Sequence, residues 1–157
     1  TSCQHFVTIP EPSRALKGLY CFNGKGKNDS LQLYTGKGKF TVQLKTPNPI
    51  TAVAGGFNRL FFLSGDAIFI LRNGEKIRPV FVSSFLTGVR SMAYDGESEL
   101  LFLATDKEIY SLRAGTLDLL VQGLGGKLAW INSDLFVSNN SGVYRLSSVR
   151  SLLVVKK

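Results

Sequence analysis

The tetrapeptide GKGK occurs twice within NGKGKNDSLQLYTGKGKF, at residues 24–27 and 36–39. Glycine lets backbone N–H groups approach an anion closely, and lysine adds a cation, so the pair has the chemistry of a phosphate cradle. The spacing argues against one. A P-loop needs G-x-x-x-x-G-K-[ST], which neither copy provides. In the dinucleotide pattern G-x-G-x-x-G, the third glycine is replaced by Asp29 in one copy and Thr41 in the other, with no helical pattern behind either. The two copies flank one strand-like run at 31–34, so as turns they stand at its opposite ends. About six residues at ~3.3 Å each separate them by about 20 Å, too far for a single phosphate. The expectation is two hairpin turns with protruding lysines. The alternative is contact with a polyanion through Lys25 and Lys27, or Lys37 and Lys39.

Other chemistry is sparse. His5 is the only histidine, so any triad or Cys–His system would have to use it. No His/Cys group has zinc-site spacing. Asp29, Asp66, Asp106 and Asn140 each precede a strand-like run, where Asp and Asn commonly bond their own backbone in turns. Thr51, Arg90, Ser91, Asp95, Lys127 and Trp130 fall on or beside short apolar runs suited to innermost strands. They form a mildly basic set without paired carboxylates for acid–base work. Arg72 and Arg113 occupy matching places, and Arg145 a neighbouring one, either capping strand ends or forming a basic rim. The candidate binding surface is therefore Lys25, Lys27, Lys37, Lys39, Arg72, Arg90, Arg113 and Trp130, with no catalytic residue, metal ligand or cofactor expected. Two N-x-S tripeptides, at 28–30 and 139–141, fall in expected turns.

The 157 residues suit one domain, and 44% apolar content supports a packed core. Only 19% is charged, but the net charge is +8. That excess either serves solubility or permits an acidic partner. No apolar run reaches the ~20 residues of a membrane-spanning helix. Cys3 and Cys21 leave three readings open: a disulfide, two free thiols, or a lipid anchor at Cys3. The last arises because TSCQ resembles what remains at a bacterial lipoprotein processing site.

Those residues are carried by short β-type runs closed by Gly, Asn, Asp or Ser. Residues 59–83 read as three antiparallel strands, with Asn73-Gly74 as a hairpin turn. The layout returns at 99–123 and 134–155. The middle strands AIFILR (67–72), EIYSLR (108–113) and GVYRLS (142–147) share x-[IV]-[FY]-x-L-[RS]. This predicts Phe69, Tyr110 and Tyr144 at equivalent places, with Ile68, Ile109 and Val143 buried beside them. Ahead of each unit lies an innermost-strand candidate, at 50–54, 90–94 and 127–131, and residues 5–49 fit as one more unit led by HFVTIP. Residues 151–155 are expected to be the last outer strand.

A period near 40 with four strands per unit is that of a β-propeller blade. The repeats, DLFVSNNSGVYRL at 134–146 above all, resemble blades of the gluconolactonase, NHL-repeat and quinoprotein type, over residues 50–155. No WD dipeptide, kelch pattern or YWTD motif is present. The resemblance implies an all-β fold, a small propeller or propeller fragment of about four four-stranded blades, with a barrel or sandwich as the alternative. A single domain of units 5–49, 50–88, 89–126 and 127–157 is expected. The functional expectation is a non-enzymatic binding or scaffolding module for another protein or a second copy of itself. It would be secreted, periplasmic or anchored at the outer membrane. Alternatives are a propeller hydrolase holding a divalent metal with Glu, Asn and Asp, as the lactonase resemblance implies, and a carbohydrate- or polyanion-binding domain.

Overall fold

The computed structural model describes residues 3–9, 16–72 and 74–150. Among the described residues, fifteen strands and one short 3-10 helix, Ser84–Gly88, account for nearly all the regular structure. The first sheet holds β1 (His5–Ile9), β2 (Gly18–Phe22), β3 (Asp29–Gly36) and β4 (Lys39–Thr46). The second holds β5 (Ile50–Gly56), β6 (Arg59–Ser64), β7 (Ala67–Arg72) and β8 (Arg78–Val82). The third holds β9 (Ser91–Asp95), β10 (Leu100–Ala104), β11 (Glu108–Arg113) and β12 (Thr116–Gln122). The fourth holds β13 (Lys127–Ile131), β14 (Asp134–Asn139) and β15 (Gly142–Leu146). In every sheet the strands pair in chain order and antiparallel, and no strand is shared between sheets. Four separate meanders of this kind are propeller blades, not one closed barrel or a two-layer sandwich. The chain forms two compact units, Thr1–Thr87 and Gly88–Lys157, with two sheets in each.

The turns follow from local chemistry. β3 and β4 are joined through Lys37 and Gly38 at φ 51° and 72°, and β11 and β12 through Ala114 and Gly115 at 47° and 78°. Positive φ at both central residues matches the right-handed twist of the flanking strands. The second GKGK is therefore a tight hairpin, and the first is the longer loop between β2 and β3. Of the expected Asn73-Gly74 turn, Asn73 lies outside the described residues, as do residues 151–155.

Alternation of side chains builds the core. In the first unit Tyr20, Phe22, Leu31 and Leu44 of the first sheet pack with Val53, Leu60 and Phe62 of the second. In the second unit Phe102, Ala104 and Ile109 pack with Leu135 and Val137. The opposite face of the second sheet, including Phe61, Leu63, Ile68 and Ile70, is also buried. Phe69, Tyr110 and Tyr144 do stand in corresponding third strands, opposite Phe62, Leu103 and Val137. Ile68 and Ile109 are buried, but Val143 is 73% exposed, contrary to expectation. The reason lies in the sheet. Phe81 and Val121 on fourth strands flank Ile68 and Ile109, whereas β15 has no fourth strand beside it among the described residues.

A buried carboxylate locks the first unit. Asp29 accepts hydrogen bonds from Asn23 N (3.1 Å), Gly24 N (2.8 Å), Ser30 N (2.8 Å) and Ile50 N (2.9 Å). It thus fixes the first GKGK loop and ties it to the first residue of the next blade. Cys3 and Cys21 form a disulfide that holds the segment before β1 to β2. This corrects the lipid-anchor reading of Cys3, since a sulfur bonded to Cys21 is not available for a thioether.

Two outcomes are expected. Asp29→Ala strands the buried Ile50 N–H and three partly buried ones and should lower stability by about 3 kcal/mol, read by urea unfolding. Replacing Lys25, Lys27, Lys37 and Lys39 together by Ser should change it by less than about 1 kcal/mol, because exposed charges contribute little. A drop of several degrees in Tm for the lysine variant would show that these turns are packed.

Candidate functional site

In the Gly88–Lys157 unit, the connection from β12 to β13 reads Gly123-Leu124-Gly125-Gly126. At Gly125 and Gly126 it passes the turn between β10 and β11 and the strand β14 so closely that only glycine fits. A Cβ on Gly125 would lie 2.1 Å from the Thr105 carbonyl oxygen, and one on Gly126 would lie 2.2 Å from that of Ser138. Gly123 N donates to Lys107 O (2.8 Å), Gly126 N to Thr105 O (3.2 Å), and Asn139 Nδ2 to Gly125 O (2.9 Å). The loop is thereby a fixed floor between the third and fourth sheets.

Above that floor opens a cleft of about 780 Å³, walled by Arg90, Asp106, Lys127, Ser138, Asn140 and Ser141. Arg90 immediately precedes β9 and Lys127 opens β13. Leu128 N donates to Ser91 Oγ at 2.9 Å, which sets the starts of these two innermost strands side by side. Among the described residues, Arg90, Lys127 and Asp106 have no ion-pair partner. The cleft thus presents two unpaired cations, one carboxylate, and amide and hydroxyl groups around glycine backbone. That arrangement suits an extended polar or acidic segment.

Of the eight residues singled out from sequence, only Arg90 lines this cleft; Lys127 was noted as an innermost-strand residue but was not among the eight. Lys25, Lys27, Lys37 and Lys39 are exposed on the turns of the other unit. Arg72 is half-buried, with Nη1 4.0 Å from Glu75 Oε1. Arg113 is exposed at the end of β11. Trp130 is half-buried in the core, stacked on Phe102 at 5.2 Å and covered by Arg150 5.4 Å from its ring centroid. Asp66, Asp106 and Asn140 are exposed at turns, unlike the buried Asp29. Among the described residues, no three His, Cys, Asp or Glu side chains converge as a metal site would require. The ring of His5 stacks on Phe22 at 5.2 Å.

Sequence reasoning missed the glycine floor and the residue that braces this unit. The run GLGG was the available signal for the first; nothing local marks Arg150. Its Nε and Nη2 donate to Asp95 Oδ2 and Oδ1, both at 2.6 Å, and Nη1 lies 3.0 Å from Glu97 Oε2. Asp95 is 1% exposed. Burial works to raise its carboxyl, but hydrogen bonds from Arg150 and Ser98 and the Arg150 charge outweigh it, so it sits below the usual carboxylate range. The same Asp95 hydrogen bond leads the upward shift of Arg150, against the opposing effect of burial.

No known protein family matches the sequence, and no curated protein does. Among solved structures, the chain is similar to one described as YCF48 bound to D1 peptide, at 14% identity and a TM-score of 0.56. The match covers 94% of this chain and 54% of that one, so the chain spans about half the length of that protein. At this identity the likeness is one of fold.

The ion pair generates a pH prediction. A carboxyl held more acidic in the folded than in the unfolded chain stabilises above the unfolded value of about 4, and that stability disappears as pH falls through the folded value. Asp95→Asn removes one partner of a buried pair and should cost about 3 kcal/mol at pH 7. Against the wild type, that difference should shrink steadily below about pH 4. A difference independent of pH, followed by chemical denaturation, would show that the Asp95 charge contributes nothing.

Proposed function

We propose that this chain is a non-enzymatic protein-binding module that holds an extended segment of another protein in the cleft of its Gly88–Lys157 unit. The observation that carries this reading is the convergence of Arg90 and Lys127, both without ion-pair partners, over a rigid glycine floor. A charge left unpaired at a cleft is available to a ligand at no cost of breaking an internal bond. Asp106 is the one carboxylate among the lining residues, so acid–base catalysis by a carboxylate pair finds no support there. Support by analogy comes from YCF48, similar in fold and described as bound to a peptide. The Cys3–Cys21 disulfide supports an oxidising setting, in keeping with a secreted or periplasmic location.

The net charge of +8 favours a second reading, a polyanion binder, that uses the same cations. One experiment separates the two. An immobilised array of short peptides of graded acidity is probed with the wild type and with Arg90→Glu/Lys127→Glu, with heparin as competitor. The expected outcome is binding to a subset of acidic peptides that depends on their sequence. The double variant should weaken it roughly tenfold or more, as for removal of a central anchoring charge. Binding that follows peptide charge alone and is fully displaced by heparin would instead select the polyanion reading. Retention of binding by the double variant would remove the cleft from the account.

A further inference from the structure

The first sheet has a second face that its own core does not use. Val7, Tyr20, Phe22, Leu31, Leu33 and Leu44 point into the first unit's core. The alternate residues stand on the other side. Strand register sets Phe6, Cys21, Gln32 and Val42 in one cross-strand row, with Tyr34 and Phe40 in the row beside it. The rings of Tyr34 and Phe40 lie 5.2 Å apart, and those of Phe6 and Phe40 lie 6.5 Å apart. Cys21 and Gln32 in the middle of that row are buried, while Phe6 is 57% exposed, Val42 47% and Tyr34 40%. The three rings form a contiguous apolar patch with Val42 exposed on the same face, and such a patch often marks an interaction site.

Charge surrounds the patch. Lys37 and Lys39 stand at one end, on the hairpin whose Gly38 N donates to Tyr34 Oη at 3.3 Å. Lys45 pairs in register with Ser30 at the other end of β4, beyond Val42 on the same face. All three lysines are exposed, and among the described residues none has an ion-pair partner. An apolar centre inside a polar rim is the anatomy of a protein interface.

We propose that this face of the first sheet docks a protein partner whose contact surface is apolar at its centre and acidic at its rim. Charge complementarity selects that partner over a second copy. Two copies of a +8 chain meeting through this face would oppose the same lysine rims. The site lies in the Thr1–Thr87 unit and does not depend on the cleft described above. It also gives the second GKGK a role: the hairpin geometry projects Lys37 and Lys39 beside the apolar patch.

The test uses synthetic polymers as probes, with binding followed by fluorescence anisotropy at two salt concentrations. The probes are a random copolymer of glutamate and tyrosine, polyglutamate of the same length, and a copolymer of lysine and tyrosine. The glutamate–tyrosine copolymer should bind roughly tenfold tighter than polyglutamate, and the lysine–tyrosine copolymer should not bind. Phe6→Ser/Val42→Ser, both at exposed positions, should abolish that tenfold advantage with an unchanged thermal melt. Lys37→Ser/Lys39→Ser should weaken binding and flatten its salt dependence. Equal binding of the two acidic polymers, an advantage that survives Phe6→Ser/Val42→Ser, or binding of the lysine copolymer would overturn the proposal. So would a dimer in sedimentation that Phe6→Ser/Val42→Ser dissociates, because the face would then belong to a second copy.

Discussion

A four-stranded meander has two faces, and successive residues on each strand point to opposite ones. A blade inside a repeat array must therefore be apolar on both faces, since each is covered. The inner strands show the consequence. β10 reads LLFLA and is buried at every position, and β6 carries LFFL between Arg59 and Ser64. Outer strands lie farther from the core and relax toward polarity: β12 reads TLDLLVQ and β4 KFTVQLKT. Each blade thus grades from dense apolar strands to mixed ones, and the chemistry open to a ligand moves to turns, strand starts and uncovered faces. Both the cleft and the lysine-rimmed patch obey that rule.

Apolar faces bring sheets together but tolerate sliding, because the hydrophobic effect has no direction. Directional bonds remove that freedom. In the first unit Asp29 accepts from Ile50 N, the first residue of β5. In the second, Ser91 Oγ accepts from Leu128 N near the start of β13. Each is a side-chain acceptor on one sheet that takes an N–H near the start of the next sheet's innermost strand. Satisfying that N–H in a site withdrawn from water fixes the next strand to within hydrogen-bond tolerance. The cleft inherits its geometry from this: Arg90 and Lys127 each adjoin a bonded residue, Ser91 or Leu128.

Strands and turns were legible because they are local. Alternation, Gly-containing turns and the repeated motif of the third strand are written within windows of a few residues, so the four blades were readable without coordinates. The site was legible only where it touched that pattern. Arg90 and Lys127 were both noted beside innermost-strand runs, but only Arg90 was carried into the candidate surface. Trp130 was misjudged by type: aromatic and near a strand centre, it reads equally as a binding platform or as core, and its neighbour Phe102 is 28 positions away. Arg150 is 55 residues from Asp95, beyond any local signal. Asp29 read as an ordinary turn aspartate because the N–H groups of Asn23, Gly24 and Ser30 are local, whereas Ile50 N, the bond that matters most between sheets, is 21 residues on. Burial of Val143 was expected from the repeat, but among the described residues no fourth strand stands beside β15 to cover it.

The two GKGK sequences show how one motif takes different physical roles. In the first, the loop bends back so that Asn23 and Gly24 give their N–H groups to a carboxylate of the same chain. An internal anion already occupies those donors, so this loop is not a vacant phosphate cradle, whatever its composition suggests. In the second, Lys37 and Gly38 are the tight turn itself, and what they present is charge at the margin of an aromatic face. The donor geometry that would suit a phosphate is spent on folding in one copy and absent in the other. What survives for function is the lysine charge, and its meaning is set by what lies beside it: a polar loop in one case, uncovered Phe6, Tyr34 and Val42 in the other.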